Sequence, residues 1–139
     1  MFLDASAIVA LLRPEPVAGE RAARMEAHDG PFFISAVVRF EAAMALARSK
    51  TPLPKPVEPA AIAKAHAAID RLLRDMAVGE VLISDEVGRL AIESACNYGK
   101  VVTSPAQLDI GDCFSYACCK VYRLALLYAG QDFIETDIG

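Results

Sequence analysis

Short apolar runs alternate with longer stretches of helical periodicity along this chain of 139 residues. The apolar runs are too short for helices and are typical of buried strands; they lie at residues 1–3, 31–34, 81–83 and 124–128. Between them, apolar side chains recur at steps of three and four residues and predict helices over residues 5–12, 15–27, 35–50, 60–77, 84–98 and 110–122. Strands that alternate with helices predict an α/β fold with a parallel sheet.

Capping and chain-breaking residues set the expected ends of these elements. Ser35 precedes one helical stretch and either Ser84 or Asp85 precedes another, where a side-chain oxygen can accept a hydrogen bond from the first turn. Gly79 and Gly99 follow helical stretches and are predicted to end them. Residues 51–56 contain three prolines and are predicted to form a loop, as are residues 101–108.

The composition agrees with one folded domain over residues 1–139. Hydrophobic residues make up 55% of the chain and charged residues 23%, which is typical of a globular protein. The longest apolar stretch is far shorter than a membrane span and no basic leader precedes one, so we expect a cytoplasmic protein without membrane contact. The four cysteines form no C-x-x-C pair, and we expect buried, reduced thiols.

The charge balance limits how this chain can bind a nucleic acid. The 14 basic and 18 acidic side chains give a net charge of −4, whereas nucleic-acid binders usually carry a basic surface. Any phosphate-binding surface must therefore be local. The candidate side chains are grouped in the first half of the chain: Arg39, Arg48, Lys50, Lys55 and Lys64. A solvated helix face is an equally good interpretation of this group.

Acidic residues stand where predicted strands end or in the helices beside them. Asp4 follows the first strand and Asp132 the last, Glu41 lies two turns into the helix after the second strand, and Asp112 lies in the first turn of another helix. The carboxyl ends of parallel strands share one edge of a sheet, so these acids can meet in one cleft. Clustered carboxylates need a cation, and their hard oxygens suit Mg²⁺ or Mn²⁺.

Simpler roles remain open for three of these acids. Asp4 is also a common type of helix cap, Asp112 can complement a helix dipole, and Asp132 can belong to a turn. Glu41 is harder to explain in this way because its helix neighbours are mostly apolar, and a partly buried acid needs a partner. The pattern alone does not decide between a shared metal site and separate roles, because it leaves the strand order open.

The segments around these acids carry a resemblance to a known family. They are FLDASAI at residues 2–8, ISA with EAA at 34–36 and 41–43, LDIGDCFSYA at 108–117, and GQDF with TDI at 130–133 and 136–138. In order and spacing they resemble the PIN-domain family and, within it, the VapC-type toxins of bacterial toxin–antitoxin pairs. The first segment alone is a weak signal, but the four together are specific and span nearly the whole chain.

The resemblance implies a three-layer α/β/α fold around a parallel sheet and RNA cleavage that depends on Mg²⁺ or Mn²⁺. It implies that the metal ligands and catalytic acids are Asp4, Glu41, Asp112 and Asp132. Ser6 matches a family hydroxyl that hydrogen-bonds within the acidic site. Thr136 and Asp137 match the terminal motif. The implied partners are an RNA substrate, a VapB-like antitoxin that covers the cleft, and a second copy of the chain in a homodimer.

Two positions depart from the family pattern. A Lys often precedes the glycine of the last motif, where this chain has Ala129, and an Asn often stands where this chain has Asp109. Neither change removes one of the four acids.

Other functions are compatible with parts of the pattern. A non-catalytic interaction module with the same fold is one alternative, although the presence of all four acids argues against it. A haloacid-dehalogenase-like phosphatase would need a second Asp where this chain has Ser6. A receiver domain would need a central phosphoacceptor Asp, and the strand predicted at residues 81–83 offers only Ser84 and Asp85. The chain has no G-x-S-x-G, P-loop or G-x-G-x-x-G motif.

Overall fold

A computed structural model describes residues 1–13 and 20–139, with four strands and six helices in that part of the chain. The strands are β1 (Phe2–Leu3), β2 (Phe33–Ser35), β3 (Gly79–Val81) and β4 (Leu126–Leu127). The helices are α1 (Ala5–Leu11), α2 (Glu20–Glu26), α3 (Ala36–Ser49), α4 (Pro59–Asp75), α5 (Asp85–Tyr98) and α6 (Ile110–Tyr122). The predicted α/β alternation is confirmed, although the first part of the helix predicted over residues 15–27 lies outside the described residues.

The strands form one parallel sheet in the order β3-β2-β1-β4. Phe2 and Leu3 of the central strand β1 are both fully buried. Successive side chains of a strand point to opposite faces of the sheet, so both faces are covered. The three-layer α/β/α arrangement is therefore confirmed.

Side-chain caps begin four of the helices that surround the sheet, the first being α1, where Asp4 accepts a hydrogen bond from the Ser6 N–H. Ser35 accepts a hydrogen bond from the Val38 N–H of α3, and Ser84 accepts one from the Val87 N–H of α5, as their positions predict. Asp109 caps α6, the helix that carries Asp112. These caps satisfy free N–H groups of each first turn and so help to fix where each helix starts.

The third strand differs from the sequence prediction. It spans Gly79–Val81 rather than residues 81–83, and Leu82 is 78% exposed. The helix before it ends at Asp75, with Ala77 in the left-handed region, so Gly79 does not end that helix. Gly79 instead joins the sheet, where an added Cβ would lie 2.9 Å from the Phe33 ring. The absence of a side chain is what lets β3 approach β2.

The remaining differences are smaller. The strand predicted over residues 124–128 is reduced to Leu126–Leu127, and the predicted loop at 101–108 overlaps a short 3₁₀ turn, Lys100–Val102. All four cysteines are free thiols, three of them buried, whereas Cys96 is exposed. Among the described residues, no helix has the length and apolar character needed to cross a membrane.

Candidate active site

The carboxyl-terminal ends of β1 and β4 are linked by a hydrogen bond at Asp4. The backbone N–H of Asp4 donates to the carbonyl of Leu127 at 2.9 Å. Beside this junction lies a cleft of about 590 Å³. Its lining contains all four predicted acids, which come from separate elements: Asp4, Glu41, Asp112 and Asp132. The predicted convergence of these acids on one edge of the sheet is thus observed in the structure.

Asp4 is almost fully buried and is held by hydroxyl and amide donors. One carboxylate oxygen, Oδ2, accepts hydrogen bonds from the backbone N–H and the hydroxyl of Ser6. The other, Oδ1, accepts one from the Ser115 hydroxyl at 2.8 Å. The Ser6 oxygen in turn accepts a hydrogen bond from the Ala129 N–H at 2.9 Å. Ser6 therefore lies within the acidic site, as the resemblance implies.

Asp112 is oriented by the first turn of its own helix. Its Oδ2 accepts a hydrogen bond from the Asp109 N–H at 2.9 Å, while Asp109 Oδ1 accepts from the backbone N–H groups of Gly111 and Asp112. This reciprocal arrangement is a capping box in which both partners are aspartates. Asp109 also lines the cleft, so the site contains a fifth acid.

Glu41 carries a buried oxygen that has no partner. Its Oε2 is shielded from solvent and accepts no hydrogen bond from any described residue. The carboxylate lies against Gly111 so closely that a Cβ there would come within 1.8 Å of Oε2. A buried acceptor without a donor is costly, and a carboxylate oxygen in this state suits a hard cation.

Burial and mutual repulsion resist ionisation of two of the acids. Burial, reinforced by the charges of Asp4, Asp109 and Asp112, raises the pKa of Glu41 from 4.5 to about 7. Burial also raises the pKa of Asp112 from 3.8 to about 7; the Asp109 N–H opposes this, and neighbouring acidic charges add to it. A divalent cation would offset this repulsion.

The acids share the cleft without forming a closed cage. Within residues 1–13 and 20–139, no three His, Cys, Asp or Glu side chains are arranged to hold a metal ion. Glu41, whose buried oxygen no hydrogen bond holds in place, can adjust to a cation, whereas Asp4 and Asp112 are already held by hydrogen bonds.

The raised pKa values predict how stability depends on pH in the absence of metal. Folded Glu41 and Asp112 keep protons that the unfolded chain loses at lower pH, so their contribution is full in acid and is lost as the pH rises through about 7. After allowance for solvent screening we expect a loss of roughly 1–2 kcal/mol, or several degrees in Tm, between about pH 5 and pH 8. Thermal unfolding in EDTA measures this effect.

Glu41→Gln is the matched variant for that measurement. It removes one titrating group and one charge from the cleft, so its Tm should exceed that of the wild type above about pH 7 and depend less on pH. A wild-type Tm that is unchanged or rises over this interval would contradict the assigned pKa directions.

Two residues of the terminal motif lie elsewhere. Thr136 donates its hydroxyl to the carbonyl of Phe133 within a turn. Asp137 accepts hydrogen bonds from the Tyr116 hydroxyl and from Lys120, both at 2.7 Å, and these partners lower its pKa. Neither residue lines the cleft. Asp137 therefore fastens the C-terminal segment to α6, and Thr136 stabilises a turn within that segment.

The basic residues beside the cleft differ from the expected group. Arg13 and Lys100 line it. Arg39 instead bridges Asp70 and Glu80, and Arg48 donates to the carbonyls of Thr51 and Lys55. Sequence reasoning missed Arg13 and Lys100 because each is isolated in the sequence, and it missed Ser115 because no local pattern marks a contact with Asp4. A signal for Asp109 was present, since it precedes the helix that carries Asp112.

Comparisons with known proteins agree with this geometry. A family model described as the PIN domain matches residues 1–139. A VapC ribonuclease of Rhizobium meliloti is 39% identical over 99% of this chain and 99% of its own length. Ribonuclease VapC42 of Mycobacterium tuberculosis is 32% identical over 99% of this chain and 96% of its own length.

Solved structures share the fold at low sequence identity. Mycobacterium tuberculosis VapC20, described as a toxin that cleaves the sarcin–ricin loop, superposes with a TM-score of 0.68 at 18% identity, covering 99% of this chain and 95% of its own. A toxin–antitoxin complex from Klebsiella pneumoniae gives a TM-score of 0.62 at 16% identity, covering 98% of this chain and 92% of its own.

Proposed function

The chain belongs to the PIN-domain family and, within it, to the VapC ribonucleases, and from this premise we propose that it is a divalent-metal-dependent endoribonuclease acting as the toxin of a toxin–antitoxin pair. The observation that carries the metal-dependent part is the buried Glu41 Oε2, which lacks a partner in a cleft shared with Asp4, Asp112 and Asp132. These residues fit a hard divalent cation through the chemistry of their oxygens. We take Mg²⁺ or Mn²⁺ as the cofactor.

The proposed division of labour follows from the contacts of each acid. When bound, a divalent cation in such a site activates water and offsets the charge that develops on a phosphodiester. Asp4 and Asp112 offer carboxylates already oriented by Ser6, Ser115 and the Asp109 N–H. Glu41 has a pKa of about 7, so it gives up its proton as the site fills, which makes metal affinity rise with pH.

Residues outside the acidic group supply the remaining functions. Arg13 and Lys100 line the cleft and are placed to contact phosphates of the RNA strand. Histidine does not act as the base in this scheme: the His28 ring contacts the Met1 amino group, and His66 lies 3.4 Å from Asp70, so neither lines the cleft.

Cleavage of a defined RNA tests the proposal directly. We expect endonucleolytic products with Mg²⁺ or Mn²⁺ and none in EDTA, since the acids alone repel the phosphate. Calcium serves as a control because it is larger than Mg²⁺ and takes more oxygen ligands in a more flexible geometry. Cleavage that persists in EDTA would contradict metal dependence. Absence of cleavage with either metal would favour the interaction-module alternative.

Partners are the second part of the proposal. We infer a VapB-like antitoxin and a homodimer, and exposed apolar surface supports both. Phe40 is 67% exposed on a groove between α3 and α4, and Ile92, Val101 and Ile110 are exposed around a larger apolar groove between α5 and α6. Light scattering should report a dimer that binds a co-expressed antitoxin; a monomer with no change on mixing would contradict this.

A further inference from the structure

Ser115 is a fully buried hydroxyl that lies behind the acidic cleft. It stands on α6, one turn after Asp112, and does not line the cleft itself. A serine within a helix commonly donates its hydroxyl to a carbonyl one turn earlier on the same helix. Ser115 instead donates its hydroxyl to Oδ1 of Asp4 at 2.8 Å, although Asp4 lies 111 positions away in the sequence.

A serine on the neighbouring helix shows the common behaviour. Ser94 of α5 is also almost completely buried, and its hydroxyl donates to the Ala91 carbonyl three residues earlier at 2.8 Å. The Ser94 hydroxyl also lies 3.5 Å from the Cys113 carbonyl of α6, and it makes no hydrogen bond to any of the cleft acids. The two serines share residue type, burial and helical setting, and they differ in their contact with Asp4.

The Ser115 bond completes the restraint on Asp4. Ser6 holds Oδ2 from α1, and Ser115 holds Oδ1 from α6. With donors on both oxygens, the carboxylate cannot turn about its Cβ–Cγ bond without breaking a hydrogen bond. Such contacts behind a metal ligand orient it and influence how tightly the metal binds.

We propose that Ser115 is a positioning residue that fixes the orientation of the Asp4 carboxylate for a divalent cation. The inference rests on the proposed function, because it concerns the same acidic site. Ser115 touches neither cation nor RNA and acts through Asp4. Its hydroxyl also links α6, which carries Asp112, to the end of β1. Asp4 and Asp112 are thereby held in fixed positions relative to each other.

Ser115→Ala tests this with Ser94→Ala as the matched control. Each variant is titrated with Mn²⁺ by calorimetry, and RNA cleavage is resolved into kcat and KM. We expect Ser115→Ala to bind Mn²⁺ about 10-fold more weakly and to lose a similar factor in kcat at fixed subsaturating Mn²⁺, with little change in KM for RNA. Ser94→Ala should match the wild type in both measurements. Ser115→Cys, a weak donor of similar shape, should fall between Ala and Ser.

The outcomes separate this inference from the proposed function. Wild-type Mn²⁺ affinity and kcat in Ser115→Ala would overturn the role of Ser115 while leaving the nuclease in place. An equal loss in Ser94→Ala, or a lower Tm with unchanged Mn²⁺ affinity, would reduce Ser115 to a core residue and also overturn it. A wild-type protein that neither binds Mn²⁺ nor cleaves RNA would overturn the proposed function, and the inference with it.

Discussion

Asp4→Asn is expected to lose RNA cleavage almost completely while it keeps the fold. The amide removes a negative charge from the cleft, and its NH₂ group would face hydroxyls that now donate to a carboxylate. Removing a residue that hydrogen-bonds to a metal ligand typically lowers metal affinity or activity about 10–100-fold, so replacing the ligand itself should lower the cleavage rate more than about 100-fold. The effect should fall on kcat and on Mn²⁺ affinity together.

An exposed acid provides the control for this substitution. Asp75 lies at the end of α4, away from the cleft, so Asp75→Asn makes the same chemical change without touching the site. Cleavage rates and Mn²⁺ titrations of both variants are compared, with circular dichroism to verify folding. Full activity of a folded Asp4→Asn protein would refute the assignment of Asp4 as a metal ligand.

Gly111→Ala should impair the site without unfolding the protein. The new Cβ would occupy the position of the Glu41 carboxylate, with Oε2 at 1.8 Å and Oε1 at 2.6 Å. Because that carboxylate ends a flexible side chain, it can swing away at modest cost, and alanine favours a helix by roughly 1 kcal/mol over glycine. We expect a Tm near that of the wild type and a loss of about 10–100-fold in Mn²⁺ affinity and kcat, comparable to losing an orienting contact.

Gly88→Ala is the natural comparison. Gly88 also lies in a helix, α5, but a Cβ there meets nothing within 4 Å. This variant should gain roughly 0.5–1 kcal/mol of stability from helix propensity and keep full activity. If Gly111→Ala cleaves RNA as well as Gly88→Ala does, Glu41 does not need its observed position, and its proposed role fails.

Sequence patterns predicted the parts of this molecule that depend on local physics. Ser35 and Ser84 cap helices because their hydroxyls serve the nearest free N–H groups. Asp4 and Asp132 lie at one edge because parallel strands end there, once the order of strands places β1 beside β4. The resemblance to the PIN family is confirmed across the whole chain.

The features that sequence could not predict depend on contacts between distant residues. The strand predicted at residues 81–83 relied on apolar side chains. In the structure Leu82 is exposed, and the strand that pairs with β2 begins at Gly79 instead. Asp137 resembled a further site residue, yet Lys120 and Tyr116 bind it outside the cleft. The partnerless oxygen of Glu41 results from how α3 meets α6, which no local pattern records.

The pairing of β1 with β4 has a consequence for the order of events during protein synthesis. Phe2 pairs with Leu126, and Asp4 is joined to Leu127, so the first strand waits for one of the last segments to leave the ribosome. Asp132 follows even later. A nascent chain therefore cannot assemble the acidic cleft until nearly all of it has been made. Ribosome-bound chains halted before residue 126 should accordingly be inactive towards RNA.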